Sequence, residues 1–312
     1  MLLLGIVGPT GVGKTAVGVS LAELLGGELV SADAVAVYRK LDIGSAKPGV
    51  EERERVPFHL IDVADPEEDF SMTDFSRLAE ESFGQIRGRG KLPILVGGTG
   101  LYVRSVTATL SIPNVPPQPE LRARLWAEVE LLGSPALHAR LAEIDSISAE
   151  KILPGDAKRI LRALEVYEVT KRPASSFHTA EGVHGVPKPG VRLFGLERER
   201  ESLYRRIDDR VDEMLAQGFL DEVRGLLASG LSPEAKSLKS LGYRHLVQFL
   251  HGVVGWDDTV ELLKRDTRRF AKRQLTWFRG DPAVCWTHVG ENETAEAVAR
   301  RIEKEVTTND RA

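Results

Sequence analysis

The sequence predicts an α/β fold: a parallel sheet flanked by helices, with an α-helical domain inserted into it. Three observations carry that reading. A complete phosphate loop, Gly8-Pro9-Thr10-Gly11-Val12-Gly13-Lys14-Thr15, stands between an apolar run and a helical segment. Short apolar runs then alternate with helix-period segments, as the strands and covering helices of a parallel sheet do. Between Pro113 and Pro189 strand-like runs give way to helical periodicity bounded by prolines. The expected organisation is an α/β core at 1–112 and 190–290, a helical insertion at 113–189 and a polar C-terminal tail at 291–312.

Leu2-Leu3-Leu4-Gly5-Ile6-Val7 reads as the first strand, and Val17, Leu21 and Leu24 mark the helix that the loop opens. In that setting backbone N–H groups and the helix N-terminus surround a di- or triphosphate, Lys14 adds a point charge, and the Thr15 hydroxyl ligates Mg²⁺. The motif is shared with ATP-binding proteins. Gly26-Gly27 close the helix, and Glu28-Leu29-Val30-Ser31-Ala32-Asp33 reads as a second strand. Ligands of open α/β sheets bind beyond the carboxyl ends of strands, which makes Asp33 a candidate site residue; a loop or cap aspartate is the structural alternative.

His59-Leu60-Ile61-Asp62-Val63 reads as a third strand, and Ser71-Met72-Thr73-Asp74 as a capping box opening a helix through Phe75, Leu78, Ala79 and Phe83. Leu92-Pro93-Ile94-Leu95-Val96, the fourth strand, runs into Gly97-Gly98-Thr99-Gly100. Glycines there let backbone approach a ligand and Thr99 would set a hydroxyl beside the phosphate loop, with a plain turn as the alternative. No acid ends this strand, where a nucleotide-hydrolysing enzyme carries its Mg²⁺-holding carboxylate; Asp62 is the remaining candidate for that place.

In the insertion, Leu121 to Leu132 repeats apolar residues at helical spacing and presents Arg122 and Arg124. Asp156 is placed to cap a helix from Ala157 to Thr170 that carries Lys158, Arg159 and Arg162. Val191-Arg192-Leu193-Phe194-Gly195-Leu196 returns as a strand, followed by helices near Leu203 to Leu215 and Phe219 to Leu227 with Gly218 between them. A last helix, around Leu262 to Phe278, carries Lys264, Arg265, Arg268, Arg269, Lys272, Arg273 and Arg279 against only Glu261 and Asp266 of its own, interleaved with Phe270, Trp277 and Phe278. In a chain of net charge −4 this is the patch sized for nucleic acid, with a solvated face or the substrate's own phosphates as alternatives. The single cysteine, Cys285, forms no internal disulfide, no Cys/His cluster suggests zinc, and Met1-Leu2-Leu3-Leu4 has no basic leader, so a cytoplasmic protein is expected.

These residues also carry a resemblance. The phosphate loop, Ser31-Ala32-Asp33, the string Val37-Tyr38-Arg39-Lys40-Leu41-Asp42-Ile43-Gly44-Ser45-Ala46-Lys47-Pro48, Val96-Gly97-Gly98-Thr99-Gly100-Leu101-Tyr102, Arg159 to Val166 and Ala271 to Arg279 together resemble the tRNA dimethylallyltransferase family, in order from residue 5 to about 280. The resemblance implies a P-loop NTPase-like core with a helical insertion. The implied reaction moves a dimethylallyl group from dimethylallyl diphosphate to N6 of adenosine-37, in the anticodon loop of tRNAs reading U-initial codons, by an enzyme expected to act as a monomer with Mg²⁺. By position it implies that Gly8 to Thr15 (Gly8, Pro9, Thr10, Gly11, Val12, Gly13, Lys14, Thr15) hold the diphosphate and Thr15 the metal. Asp33 matches the catalytic aspartate, Thr99 the hydroxyl near the leaving group, and Arg122 an arginine at the reaction channel. Asp33, Ala34, Val35, Ala36, Lys158, Arg159, Arg162, Lys239, Gly242, Tyr243, Arg244, Arg268, Arg269, Lys272, Arg273 and Gln274 match tRNA-contacting segments. Lys158 stands where the family pattern has Gln, and Ala34-Val35-Ala36 where many members read Ser-x-Gln, so the side-chain hydrogen bonds of Ser and Gln are absent here.

The chemistry is compatible with the residues: neutralising a diphosphate releases an allylic carbon, and a carboxylate accepts the proton of an attacking exocyclic amine. A small-molecule P-loop kinase is the second reading and a nonenzymatic P-loop RNA-binding module the third.

Overall fold

The computed structural model describes residues 2–110, 115, 118–177 and 185–309. Its strands are β1 (Leu3–Val7), β2 (Gly27–Ser31), β3 (Phe58–His59), β4 (Leu92–Gly97), β5 (Ala108–Thr109), β6 (Val186–Pro187), β7 (Val191–Glu197) and β8 (Val284–His288). Six of them form one parallel sheet in the order β3-β2-β4-β1-β7-β8, and β5 pairs with β6. Every residue of β1 and β2 is buried, as expected of strands covered on both faces. Alternation divides their side chains between two cores: Leu3, Val7 and Val30 belong to one, Leu4, Ile6 and Leu29 to the other.

The helices are α1 (Lys14–Leu25), α2 (Val50–Arg55), α3 (Met72–Gly88), α4 (Gly100–Thr107), α5 (Pro119–Leu132), α6 (Ser134–Ile144), α7 (Ser146–Lys151), α8 (Ala157–Thr170), α9 (Arg200–Ala216), α10 (Phe219–Ala228), α11 (Tyr243–Leu250), α12 (Trp256–Arg279) and α13 (Ala295–Asn309). Gly26 ends α1 in the left-handed conformation, and Ser71 and Asp74 form the expected reciprocal cap of α3. Two compact units result, one of residues 1–107 and 187–312, the other of residues 108–186. The second has its own core, with Leu125, Leu137, Leu141, Ile160, Leu161 and Leu164 buried, and Asp156 caps α8 through the Arg159 N–H.

The structure corrects several expectations. The insertion runs from 108 to 186, not 113 to 189, because β5 begins it ahead of Pro113 and its partner β6 already contains Pro187; Pro113, Pro116 and Pro117 lie outside the described residues. The third strand is only Phe58–His59, since Leu60 (φ 61°) and Asp62 (φ 59°) are left-handed and leave the sheet. Residues 295–309, expected in a polar tail, form the packed helix α13. Val298, Ile302 and Val306 recur every fourth residue and bury a stripe of α13 in the core shared with Val17 and Leu21 of α1, while Arg192 donates to the carbonyls of Glu305 and Val306. Residues 310–312 lie outside the described residues. Among the described residues no helix is long and apolar enough to cross a membrane.

Candidate active site

Sheet order brings the candidate residues together. Since β2, β4 and β1 are neighbours, the segments leaving their carboxyl ends lie side by side: Ala32-Asp33, Gly98-Thr99 and the phosphate loop. Gly13 caps α1 at φ 105°, a conformation L side chains rarely adopt, and turns the chain so that Lys14 and Thr15 open the helix. Lys14 Nζ donates to the Pro9 carbonyl at 2.8 Å. Desolvation lowers the Lys14 pKa to about 8; Asp33 opposes the shift and Arg210 adds to it.

Asp33 and Thr99 are held by backbone. One Asp33 oxygen, Oδ1, accepts from the N–H groups of Val35 (2.8 Å) and Ala36 (3.1 Å), which fixes the carboxylate and leaves Oδ2 uncommitted in these bonds. Thr99 Oγ1 accepts from the Ala34 N–H at 3.0 Å, so its own proton is free to be donated. Both arrangements use main chain, and the alanines standing in place of Ser and Gln do not disturb them.

Helix α12 braces the site from below. The Gln274 amide is buried; its Oε1 accepts from Thr10 N–H at 2.8 Å and its Nε2 donates to the Gly98 carbonyl at 2.9 Å, tying the phosphate loop to the Thr99 loop. A Cβ on Gly98 would strike the Gln274 amide and one on Gly100 the Trp277 indole. These glycines therefore admit the protein's own helix rather than a ligand. Arg206 of α9 donates to the Gly11 carbonyl at 3.0 Å. Arg210, one turn on, has no salt-bridge partner within reach among the described residues, and burial followed by Arg206 lowers its pKa.

Beside the loop is a cavity of about 100 Å³ with a polar side, Thr10, Asp33 and Arg210, and an apolar side that includes Val35, Ile207, Met214 and Phe270. Its Gly44 rim is fixed by Glu222, which accepts from the backbone N–H of Asp42, Ile43 and Gly44 and from the Tyr243 hydroxyl. Lys47, almost wholly covered, bonds Asp42 and Asp62, and Arg53 also reaches Asp62. Asp62 is thus engaged in ion pairs with Lys47 and Arg53.

Several residues expected on an RNA-facing surface are not there. Gln274 is the buried brace; Gly242 and Tyr243, the N-cap and first residue of α11, are buried against Phe219 of α10, with burial and Glu222 pushing the Tyr243 phenol far up; Ala36 is buried as well. Arg244, Lys239, Arg269, Lys272 and Arg273 are exposed, Arg268 half-buried. The cations of α12 are also better balanced than its own sequence suggests, because α9 and β7 supply carboxylates: Asp212 pairs Lys264, Asp208 pairs Arg268, Glu197 pairs Arg279, and Asp266 gathers Arg244, Arg265 and Arg269. Lys272 and Arg273 remain without a carboxylate partner among the described residues. In the insertion unit, Arg122 and Arg162 share the buried Glu165, Arg159 pairs with Asp156, and Lys158 is exposed.

Sequence reasoning missed Arg206, Arg210, Glu222 and the bracing role of Gln274. Arg206 and Arg210 lie four apart on one face of α9, the only local signal, and it is indistinguishable from a solvated charged face.

Comparison with known proteins gives the family and the fold. The family model described as IPP transferase matches residues 36–281, and one described as isopentenyl transferase matches residues 1–60. A tRNA dimethylallyltransferase of Symbiobacterium thermophilum is 47% identical, covering 96% of this chain and 94% of that protein. One of Syntrophobacter fumaroxidans is 49% identical over 90% of this chain and 82% of its own. The full-length tRNA isopentenylpyrophosphate transferase of Bacillus halodurans superposes with a TM-score of 0.72 at 38% identity, covering 99% and 98% of the two chains. A eukaryotic dimethylallyltransferase solved acting on tRNA gives 0.77 at 26% identity, over 99% of this chain and 80% of its own.

Proposed function

The chain belongs to the IPP transferase family, and from that premise we propose that it transfers a dimethylallyl group from dimethylallyl diphosphate to N6 of adenosine-37 in tRNAs reading U-initial codons. The observation that carries the reading is the two-sided cavity: Asp33, Arg210 and Thr10 of the phosphate loop meet an apolar wall, the combination a diphosphate bearing a short hydrocarbon requires. Lys14 and Arg210 face the diphosphate and neutralise charge as the C1–O bond breaks. Thr99, its oxygen already accepting from Ala34, donates a hydrogen bond to the leaving oxygen. The N6 amine attacks C1 and passes its proton to Asp33 Oδ2 while Oδ1 stays anchored in the turn.

Mg²⁺ fits the loop: Thr15 stands half-buried in the first turn of α1 with no side-chain hydrogen bond among the described residues, and its hydroxyl would hold the ion together with diphosphate oxygens. Bound there, the ion supplies further charge neutralisation for the leaving group. Exposed Lys272, Arg273 and Arg269 supply phosphate contacts to the tRNA, and the enzyme works as a cytoplasmic monomer.

Incubation with unmodified tRNA and radiolabelled dimethylallyl diphosphate, in parallel with labelled ATP, tests the reading. Label entering the RNA supports it; ATP turnover without prenylation favours a kinase and rejects it.

A further inference from the structure

The apolar side of the cavity beside Asp33 has a yielding part and a fixed part. Val35, Met214 and Phe270 are half-buried, so each has room to turn aside, and the unbranched thioether of Met214 adapts most readily. Ile207, Leu263 and Phe219 are buried. Phe219, 1% exposed, is the bulkiest of these three and among the largest fully buried side chains of the protein.

The surroundings of that ring cannot give way. A Cβ on Gly44 would strike its Cε2 and Cζ, and one on Gly242 would stand 3.1 Å from its Cε1 and Cζ, so the ring fills the space that two glycines leave. The Tyr243 ring meets it edge-on, with centroids 4.9 Å apart and planes at 77°. Both neighbours are held by one carboxylate three residues further along α10. Glu222 Oε1 accepts from the Tyr243 hydroxyl at 2.7 Å and the Gly44 N–H at 3.3 Å, while Oε2 accepts from the N–H groups of Asp42 at 3.0 Å and Ile43 at 2.7 Å. A close-packed side chain locked on several sides does not move to admit extra methylenes.

We propose that Phe219 sets the length of the allylic chain: the cavity takes the hydrocarbon of a single isoprene unit, and the phenyl ring stands where the next would lie. The proposal rests on the prenyl-transfer reading above and specifies its donor class. The step is the same for any chain length: N6–C1 forms, C1–O breaks, diphosphate leaves with the electron pair, and the amine proton passes to Asp33. The test compares kcat/KM of the full-length protein for transfer to unmodified anticodon stem-loop RNA from dimethylallyl diphosphate and from geranyl diphosphate, one isoprene unit longer. Wild type should prefer the shorter donor by about a hundredfold or more, the scale on which an apolar pocket discriminates. Phe219→Ala removes one carbon more than an isoprene unit adds and should narrow that preference about tenfold or more. Phe219→Leu, which keeps an apolar filler, should narrow it about threefold and decides the matter if the alanine variant does not fold. Met214→Ala should leave the ratio within about twofold, because a side chain already able to turn aside excludes little. Affinity for inorganic pyrophosphate, which has no hydrocarbon, should be unchanged in all three variants. The proposal is overturned by a wild type that uses both donors equally, by a preference unmoved in the folded Phe219 variants, or by Met214→Ala relaxing it as far. A ratio that shifts only together with pyrophosphate affinity marks a distorted phosphate loop and overturns it too. If wild type prenylates the stem-loop from neither donor, the transfer reading itself fails; if it uses dimethylallyl diphosphate and the ratio does not respond to Phe219, only the chain-length role fails.

Discussion

Asp33→Asn isolates the proposed proton acceptor. The amide oxygen of Asn can take the place of Oδ1 and keep the N–H groups of Val35 and Ala36 satisfied, so the turn and the Thr99 loop beside it stay intact. What changes is the second position, where an oxygen able to take a proton becomes an NH₂ that cannot. A positioned general base is worth roughly 10²–10⁴ in rate, or about 3–5 kcal/mol of barrier at about 1.4 kcal/mol per tenfold. Asp33→Ala is the less informative change, because it also leaves both N–H groups without an acceptor, at about 1–3 kcal/mol each if they remain dry. Rapid-quench measurement of single-turnover label transfer to saturating tRNA, with tRNA affinity measured separately, distinguishes the steps. The expected result is transfer slowed at least a hundredfold with tRNA affinity within about threefold. Turnover near wild type, or a loss confined to tRNA binding, would refute the role assigned to the carboxylate.

Gln274→Met, of similar length but without the amide, leaves Thr10 N–H and Gly98 C=O unpaired in a buried place; a loss of about 2–4 kcal/mol in stability and a weakened pyrophosphate affinity are expected, read by denaturant unfolding and calorimetry. Pyrophosphate-type ligands should weaken by up to tenfold per pH unit above about pH 8, because they require protonated Lys14 and its pKa in the free protein is lowered to about 8; dimethylallyl thiodiphosphate titrations in the wild type and Lys14→Met check this, the variant showing no such slope. The same depression makes charged Lys14 a cost to the ligand-free fold below pH 8, and stability from this group should rise as pH climbs from about 8 toward the unfolded lysine value near 10.5. Glu165→Gln neutralises the buried carboxylate on which Arg122 and Arg162 converge and should cost the insertion unit roughly 1–3 kcal/mol, the two guanidiniums being partly exposed, seen as faster amide exchange in α5 and α8 while exchange in β1 and β4 is unchanged.

Much of the fold was legible from local pattern. The phosphate loop between an apolar strand and a helix, the Ser71 cap, the left-handed stop at Gly26 and the Asp156 cap are set by residues within a few positions of one another, and the structure keeps all of them. The expectation failed where one residue's setting depended on a distant segment: α13 reads as polar until its Val298-Ile302-Val306 stripe meets α1, and the cations of α12 read as unpaired until α9 supplies Asp208 and Asp212. Of the candidate site, sequence pointed to Lys14, Thr15, Asp33 and Thr99 because polar groups just beyond the carboxyl ends of parallel strands are placed to meet a ligand. Only the strand order β2-β4-β1 made them neighbours, and only the packing of α12 showed Gln274 to be an internal brace. The physical reason is one of range. Backbone conformation and caps answer to residues a turn or two away, whereas which loops share a cavity, and which charges find partners, is decided when elements far apart in sequence close on a common core.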